Sequence, residues 1–254
     1  MNLSRRVFIA LLACLCCSGA FAGSHSAAGT VLVIGATGET GKLVVPRLVD
    51  AGYTVKAFVR DAVKGRKVLG RKVELVTGDI TIPATITPAL NGVDYVISAV
   101  GATAASGSNR PEKVDYEGVK NLADAAATAG IKQFVLVSSM GVTHEDHSLN
   151  RFFGKVLIWK AQGEQALRDS GVPYTIVRPG GLINEPGGKV RVVAVQGDPL
   201  LDNARIPRAD LAQVCIEALQ SPAAQNKTLE VFTEEGEPVA DWNAFFAGLE
   251  PDAT

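Results

Sequence analysis

The chain has 254 residues, 47% of them hydrophobic and 20% charged, with 26 Gly and 12 Pro. That is enough apolar material for one large domain with its own core, and it excludes a disordered or collagen-like chain. Lys plus Arg (25) nearly balances Asp plus Glu (26), for a formal net charge of −1, and the lack of any run of like charge argues against a nucleic-acid partner.

In chain order, residues 1–22 read as an export signal: Arg5 and Arg6 make a basic start, 7–17 an apolar stretch, and Ala20-Phe21-Ala22 a small-x-small cleavage site. Ser4-Arg5-Arg6-Val7-Phe8-Ile9 resembles the twin-arginine signal, whose pathway carries folded proteins across bacterial membranes, and so predicts a periplasmic protein. An ordinary secretory signal, a lipid anchor at Cys14 and an algal plastid presequence are the alternatives. Residues 23–29 form a Gly/Ser/Ala tether, and the apolar run is short for a bilayer, so no stable membrane span is expected after processing. Cys14, Cys16 and Cys17 fall in this leader; Cys215 alone would remain, which excludes a disulfide framework.

From Thr30 onward, short β-branched runs alternate with helical stretches, as βαβ units do. Strands are predicted at 30–34, 54–60, 73–77, 95–100, 133–138, 174–178 and 229–232. Most are continuously apolar, as strands covered on both faces must be. Helices are predicted at 41–50, 115–128, 152–170 and 208–220, with Gly52, Gly130 and Gly171 as stops and Pro46 expected to kink the first. The implied fold is α/β: a doubly wound, mostly parallel, Rossmann-like sheet of about seven strands in a three-layer αβα sandwich, with 30–254 as a single domain. Residues 184–203, rich in Gly and Pro, read as an inserted lobe where substrate selection would sit.

The first strand runs into Gly35-Ala36-Thr37-Gly38-Glu39-Thr40-Gly41 and a helix. In that setting Gly35 permits the tight turn, Gly38 lets backbone N–H groups approach a pyrophosphate, and Gly41 lets helix pack on strand, with the anion facing the positive helix end. NAD-specific domains place an acid after the second strand to accept from the ribose 2′-OH. Here Arg60 stands 19 residues beyond Gly41 and would instead pair with a 2′-phosphate, so NADP(H) is expected and NAD, bound through Asp61, is the alternative. In Gly78-Asp79-Ile80, Asp79 can accept from the adenine amino group beside the apolar Ile80, or serve as a turn residue.

Together with the glycine turn, Val59-Arg60-Asp61, Gly78-Asp79-Ile80, Val114-Asp115-Tyr116-Glu117-Gly118-Val119-Lys120-Asn121, Val137-Ser138-Ser139-Met140-Gly141, Thr175-Ile176-Val177-Arg178-Pro179-Gly180 and Arg208-Ala209-Asp210-Leu211-Ala212 make seven ordered motifs. In that order they resemble the atypical, extended-like short-chain dehydrogenase/reductases, in particular the nitrogen-regulator-like and NAD(P)-binding reductase-like proteins. The resemblance implies NAD(P) in the groove where strand order reverses, lined by Ala99, Val100 and Gly101, with Pro179 and Gly180 near the nicotinamide. Catalytic members use a serine after the fifth strand and a Tyr-x-x-x-Lys pair on the next helix, the lysine lowering the tyrosine pKa and holding the nicotinamide ribose. Ser138 and Lys160 occupy the matching places, and Lys160-Ala161-Gln162-Gly163-Glu164 resembles the Lys-x-x-x-Glu of the atypical branch. Val156, however, stands where the tyrosine would be, and an aliphatic side chain moves no proton. Tyr116 and Lys120 have the right spacing but precede the Ser138 strand, so Tyr116 is expected to pack on the sheet edge. Ser138 and Lys160 are thus read as cofactor-binding first and catalytic second.

The implied function is reduction of a small electrophile such as a quinone, flavin or carbonyl, with the hydride supplied by the cofactor. A non-catalytic NADP-binding redox sensor or assembly factor is the alternative, favoured by Val156. The partner is a small molecule or none, and the protein a monomer or small homo-oligomer. No metal is expected: His144 and His147, with Glu145 and Asp146, read as a solvated loop. Cys215 reads as a buried small hydrophobe, Trp159 as a pocket wall or core residue, Arg208 and Asp210 as opening a helix and pairing locally, and Asn226-Lys227-Thr228 as a glycan acceptor only in a host that glycosylates exported proteins.

Overall fold

Val31 and Val33 pack on one face of the first strand and Leu32 and Ile34 on the other, each set in its own core cluster, which is why the apolar run does not alternate with polar residues. The computed structural model describes residues 28–253; the export signal, its cleavage site, Cys14 and most of the tether lie outside the described residues. The elements are β1 (Thr30–Ile34), α1 (Gly41–Asp50), β2 (Thr54–Val59), α2 (Ala62–Leu69), β3 (Glu74–Thr77), α3 (Ile86–Ala89), β4 (Tyr95–Ser98), a π-helical stretch (Glu112–Gly118) continuing into α4 (Val119–Ala129), and β5 (Gln133–Val137). There follow α5 (Ser148–Phe152), α6 (Val156–Asp169), β6 (Tyr174–Pro179), β7 (Gly181–Ile183), β8 (Arg191–Val195), β9 (Arg205–Pro207), α7 (Arg208–Gln220), β10 (Lys227–Glu234) and α8 (Trp242–Ala247).

Among the described residues the main sheet has eight strands in the order β3-β2-β1-β4-β5-β6-β10-β8. All neighbours are parallel except β8, which runs antiparallel to β10. Strand order reverses between β1 and β4, the switch point at which doubly wound sheets open a crevice. One core holds α1, α7 and Phe246 of α8 against the sheet; the other holds α3, α4 and Leu167 of α6, completing three layers.

Several expectations are corrected. Residues 184–203 do not form a free lobe: 191–195 close the sheet edge as β8, and β7 pairs with β9 in a small parallel ribbon. The helix expected at 152–170 is two, because Gly154 and Lys155 adopt φ +57° and +58° and a Cβ at Gly154 would meet the Ala105 carbonyl at 2.7 Å. α1 spans Gly41–Asp50 as expected, with Pro46 inside it. The strands expected to run to 60, 100 and 138 stop at Val59, Ser98 and Val137, which leaves Arg60, Ala99, Val100, Gly101 and Ser138 on loops at the carboxyl edge of the sheet.

Candidate active site

The phosphate end is built from backbone. Gly35 takes φ +74°, and a Cβ there would lie 2.7 Å from the Ala99 carbonyl, so the β1 and β4 loops touch in a way only glycine allows. A Cβ at Gly41 would overlap the Gly35 carbonyl, so α1 starts directly against the turn. Gly35, Thr37 and Gly38 line a cleft together with Ala99, Val100 and Gly101. The N-terminus of α1 faces it, the arrangement that favours a diphosphate. Ala36, by contrast, turns its side chain into the core, Thr40 is buried beside the helix start, and Glu39 is exposed and paired with Lys42 at 2.9 Å. The Lys42 ammonium holds the Glu39 carboxyl below its usual range. These three are turn residues rather than cleft lining.

The far end of the cleft is cationic and apolar. Arg60 and Lys64 line it beside Phe58, Asp79, Ile80 and Asn109, and Arg60 Nη1 donates to Asn109 Oδ1 at 2.5 Å. Asp61 does not line the cleft; its Oδ1 caps α2, accepting from the N–H groups of Val63 (2.8 Å) and Lys64 (3.0 Å). Asp79 fills the expected turn role, since Oδ1 accepts from the Thr81 N–H and hydroxyl, and the residue also lines the cleft. Gly78 is required because a Cβ would strike the Phe58 ring. Sequence reasoning missed Lys64 and Asn109. Lys64 lies on a short helix not foreseen, and Asn109 sits in a loop without periodicity.

Beside the cleft Lys160 Nζ forms an ion pair with Asp115 Oδ1 at 2.8 Å, the side chains being 15% and 1% exposed. Asp115 Oδ2 accepts from the Ala102 N–H at 3.1 Å. Ser138 is buried, its hydroxyl has no hydrogen-bond partner among the described residues, and it lines a small cavity with Lys160, Asp115 and Val100. Val100 also lines the main cleft. Pro179 and Gly180 end the neighbouring strand: the Ser138 N–H donates to Val177 O, and the Met140 N–H to Pro179 O. They flank the Ser138 loop but do not line the cleft. Val156 opens α6 and packs on Val142 and Leu157. Asp115 was missed as a site residue, although it lies in a quoted motif; a carboxylate on the buried face of a helix was the available signal.

Lys160 is placed by two devices at some remove. Asn150 Oδ1 accepts from the N–H groups of Leu157 (2.9 Å) and Ile158 (3.3 Å), capping α6 from α5. One turn beyond Lys160, Glu164 receives two hydrogen bonds from Arg178, at 2.6 and 3.0 Å, and Arg178 also donates to Glu230 at 2.9 Å. Desolvation pushes the Glu230 carboxyl up, against the pull of Arg178.

Other expected residues fall elsewhere. Tyr116 is not on the sheet edge but stacks on Trp159, with ring centroids 6.0 Å apart and planes at 18°, in the helical layer away from the cleft; neither lines it. His147 Nδ1 accepts from the Leu149 N–H, and a His144 ring nitrogen bonds Asp198 O, so both staple a loop rather than stand in solvent. Among the described residues no group of three or more side chains could hold a metal. Arg208 donates to Leu182 O and Asn184, and Asp210 accepts from the Gly188 N–H, so they hold the 181–188 segment rather than each other. Cys215 is buried as expected, and desolvation pushes its thiol up to about 12.

A glycine cradle at the switch point of a doubly wound sheet defines a dinucleotide-binding Rossmann protein, and the cradle, the cationic rim and the orphaned Ser138 hydroxyl fit NAD(P)H. A profile of the NAD(P)H-binding family matches residues 35–222. The chain belongs to this family, a branch of the atypical short-chain dehydrogenase/reductases. It is 36% identical over 260 residues to sanguinarine reductase of Eschscholzia californica, covering 86% of this chain and 95% of the relative. It is 39% identical over 242 residues to an uncharacterized chloroplastic protein of Arabidopsis thaliana, covering 85% and 74%. The structure of a candidate NAD-dependent epimerase/dehydratase of Bacillus halodurans superposes with a TM-score of 0.75 at 26% identity, over 87% of this chain and 100% of that one.

Proposed function

We propose that the protein is an NADPH-dependent reductase of a small electrophile of the quinone, flavin or carbonyl class. The observation that carries this reading is a cleft with a cationic rim, Arg60 and Lys64, and beside it a small cavity holding Lys160 and Ser138, the two sharing Val100 as a wall. Gly35, Thr37, Gly38 and the α1 terminus hold the diphosphate, with Ala36, Glu39, Thr40 and Gly41 shaping the turn. Arg60 and Lys64 hold the 2′-phosphate, since they line the cleft and Asp61 does not. Asp79 and Ile80 seat the adenine, and Ser138 and Lys160 orient the nicotinamide ribose beside Pro179 and Gly180. NADPH, when bound, supplies the hydride. The 36% identity to a named reductase supports the reaction class.

Stopped-flow oxidation of NADPH against a panel of quinones, flavins and aldehydes tests the proposal: faster oxidation with at least one acceptor is expected. Tight binding with no acceptor reduced above background would leave the second reading, a redox sensor, which Val156 at the usual tyrosine position favours. For the compartment we propose a plastid ahead of the periplasm, on the strength of the chloroplastic relative. Fusion of residues 1–29 to a reporter should direct it into isolated chloroplasts, and failure to import would sink that assignment.

A further inference from the structure

Asp115 is a buried acid beside Lys160. It sits in a π-helical stretch, a form found mostly as local irregularity at functional sites. Its backbone carbonyl is approached so closely by α6 that a Cβ at Gly163 would overlap it. Gly101 stands over the ion pair from the other side, where a Cβ would lie 3.8 Å from Asp115 Oδ1 and 3.9 Å from Lys160 Nζ. Gly163 therefore lets α6 close on the Asp115 backbone, while the 99–102 loop and Lys160 meet at its carboxylate. Both its oxygens are committed, one to Lys160 and one to the Ala102 N–H. A carboxylate so buried is costly unless its partners compensate it, and here the partners are the cofactor-lining loop and the one ammonium in the cavity that also holds the partnerless Ser138 hydroxyl.

We propose that Asp115 is the positioning residue of this site: it locks the 99–102 loop and Lys160 into one geometry, and Lys160 replaces the missing tyrosine as proton donor. The proposal rests on the reductase reading above. In carbonyl reduction the π bond of the acceptor opens, its carbon takes the hydride of NADPH, and its oxygen takes a proton from Lys160 Nζ. The resulting amine is reprotonated from solvent, so that acceptor, NADPH and one proton give alcohol and NADP+. Asp115 itself neither gains nor loses the proton; it holds the ammonium in the cavity that shares Val100 with the cleft.

The test compares the full-length protein with Asp115→Asn, Asp115→Ala and Lys160→Met in three measurements. NADPH affinity of Asp115→Asn is expected to stay within about 3-fold of wild type, while kcat on a carbonyl acceptor falls about 100-fold, the scale of a lost general acid. On a quinone, whose reduced oxygens can take protons from water, the same variant should lose less than about 10-fold. Without cofactor, acetic anhydride labelling followed by mass spectrometry should modify Lys160 several-fold faster in Asp115→Ala than in wild type. Equal kcat losses on both acceptors, or an NADPH affinity that collapses with kcat, would make Asp115 a cofactor-binding residue and overturn the proposal. Unchanged carbonyl reduction in Lys160→Met would overturn the proton assignment. If the wild type reduced no acceptor, the reductase reading would fall and the proton assignment with it, whereas equal labelling rates would refute the positioning role independently.

Discussion

At Arg60 the choice between two cofactors comes down to one side chain's charge and its neighbour's placement. A guanidinium in the cleft attracts a dianionic 2′-phosphate, while Asp61, whose Oδ1 caps α2, does not line the cleft. Replacing Arg60 by Ala should weaken NADPH about 10- to 100-fold, the value of one or two charge-assisted hydrogen bonds, and leave NADH nearly unchanged; titration of both by fluorescence checks it, and equal losses would remove the 2′-phosphate argument. Arg60 was legible in the sequence because it follows a strand at a fixed distance from the glycine turn. Lys64 and Asn109 were not, since what makes them part of the site is the folding of α2 and the 101–111 loop around the same cleft.

The helix α6 carries Lys160, and its position depends on groups remote in sequence. Asn150 caps its first turn, and Glu164 ties it to β6 through Arg178. Replacing Glu164 by Ala leaves Arg178 buried with part of its charge uncompensated, a change that costs about 3–5 kcal/mol. Urea unfolding should show this as a lower midpoint with unchanged slope, together with reduced kcat because α6 loosens; a midpoint equal to wild type would refute the link. The Lys-x-x-x-Glu spacing was visible in the sequence, but only the structure shows that Glu164 turns to a strand and bonds Arg178. The split between α5 and α6 escaped notice for a related reason: Gly154 and Lys155 break the helix to fit around Ala105, a contact no local pattern encodes.

Across the whole molecule, the C-terminal segment closes the fold through Asp252. Desolvation raises its carboxyl, but hydrogen bonds from Thr228, Tyr174 and Arg168 win, and the group is held below its ordinary value of 3.8. A lowered folded value means that the stability Asp252 contributes is present above the ordinary carboxylate range and is lost as pH falls through the folded value. Glu230 runs the other way: burial raises it, so its contribution is present below 4.5 and is lost as pH rises through the folded value. Asp252→Asn should therefore cost about 2 kcal/mol at pH 7 and progressively less toward pH 3. Urea unfolding at both pH values measures it, and an equal loss at each would contradict the assignment.

Taken alone, the sequence determined the fold class, the position of the dinucleotide cradle and the charge at its rim. Periodicity, glycine spacing and side-chain type are local properties, and the backbone obeys them locally. The tertiary structure alone decided that Asp115 meets Lys160 across 45 residues, that Tyr116 stacks on Trp159, and that 191–195 close a sheet instead of forming a lobe. Each of those outcomes pairs groups far apart in the chain. Such a pairing depends on which surfaces remain to be buried once the local elements have formed, and a one-dimensional pattern carries no record of it.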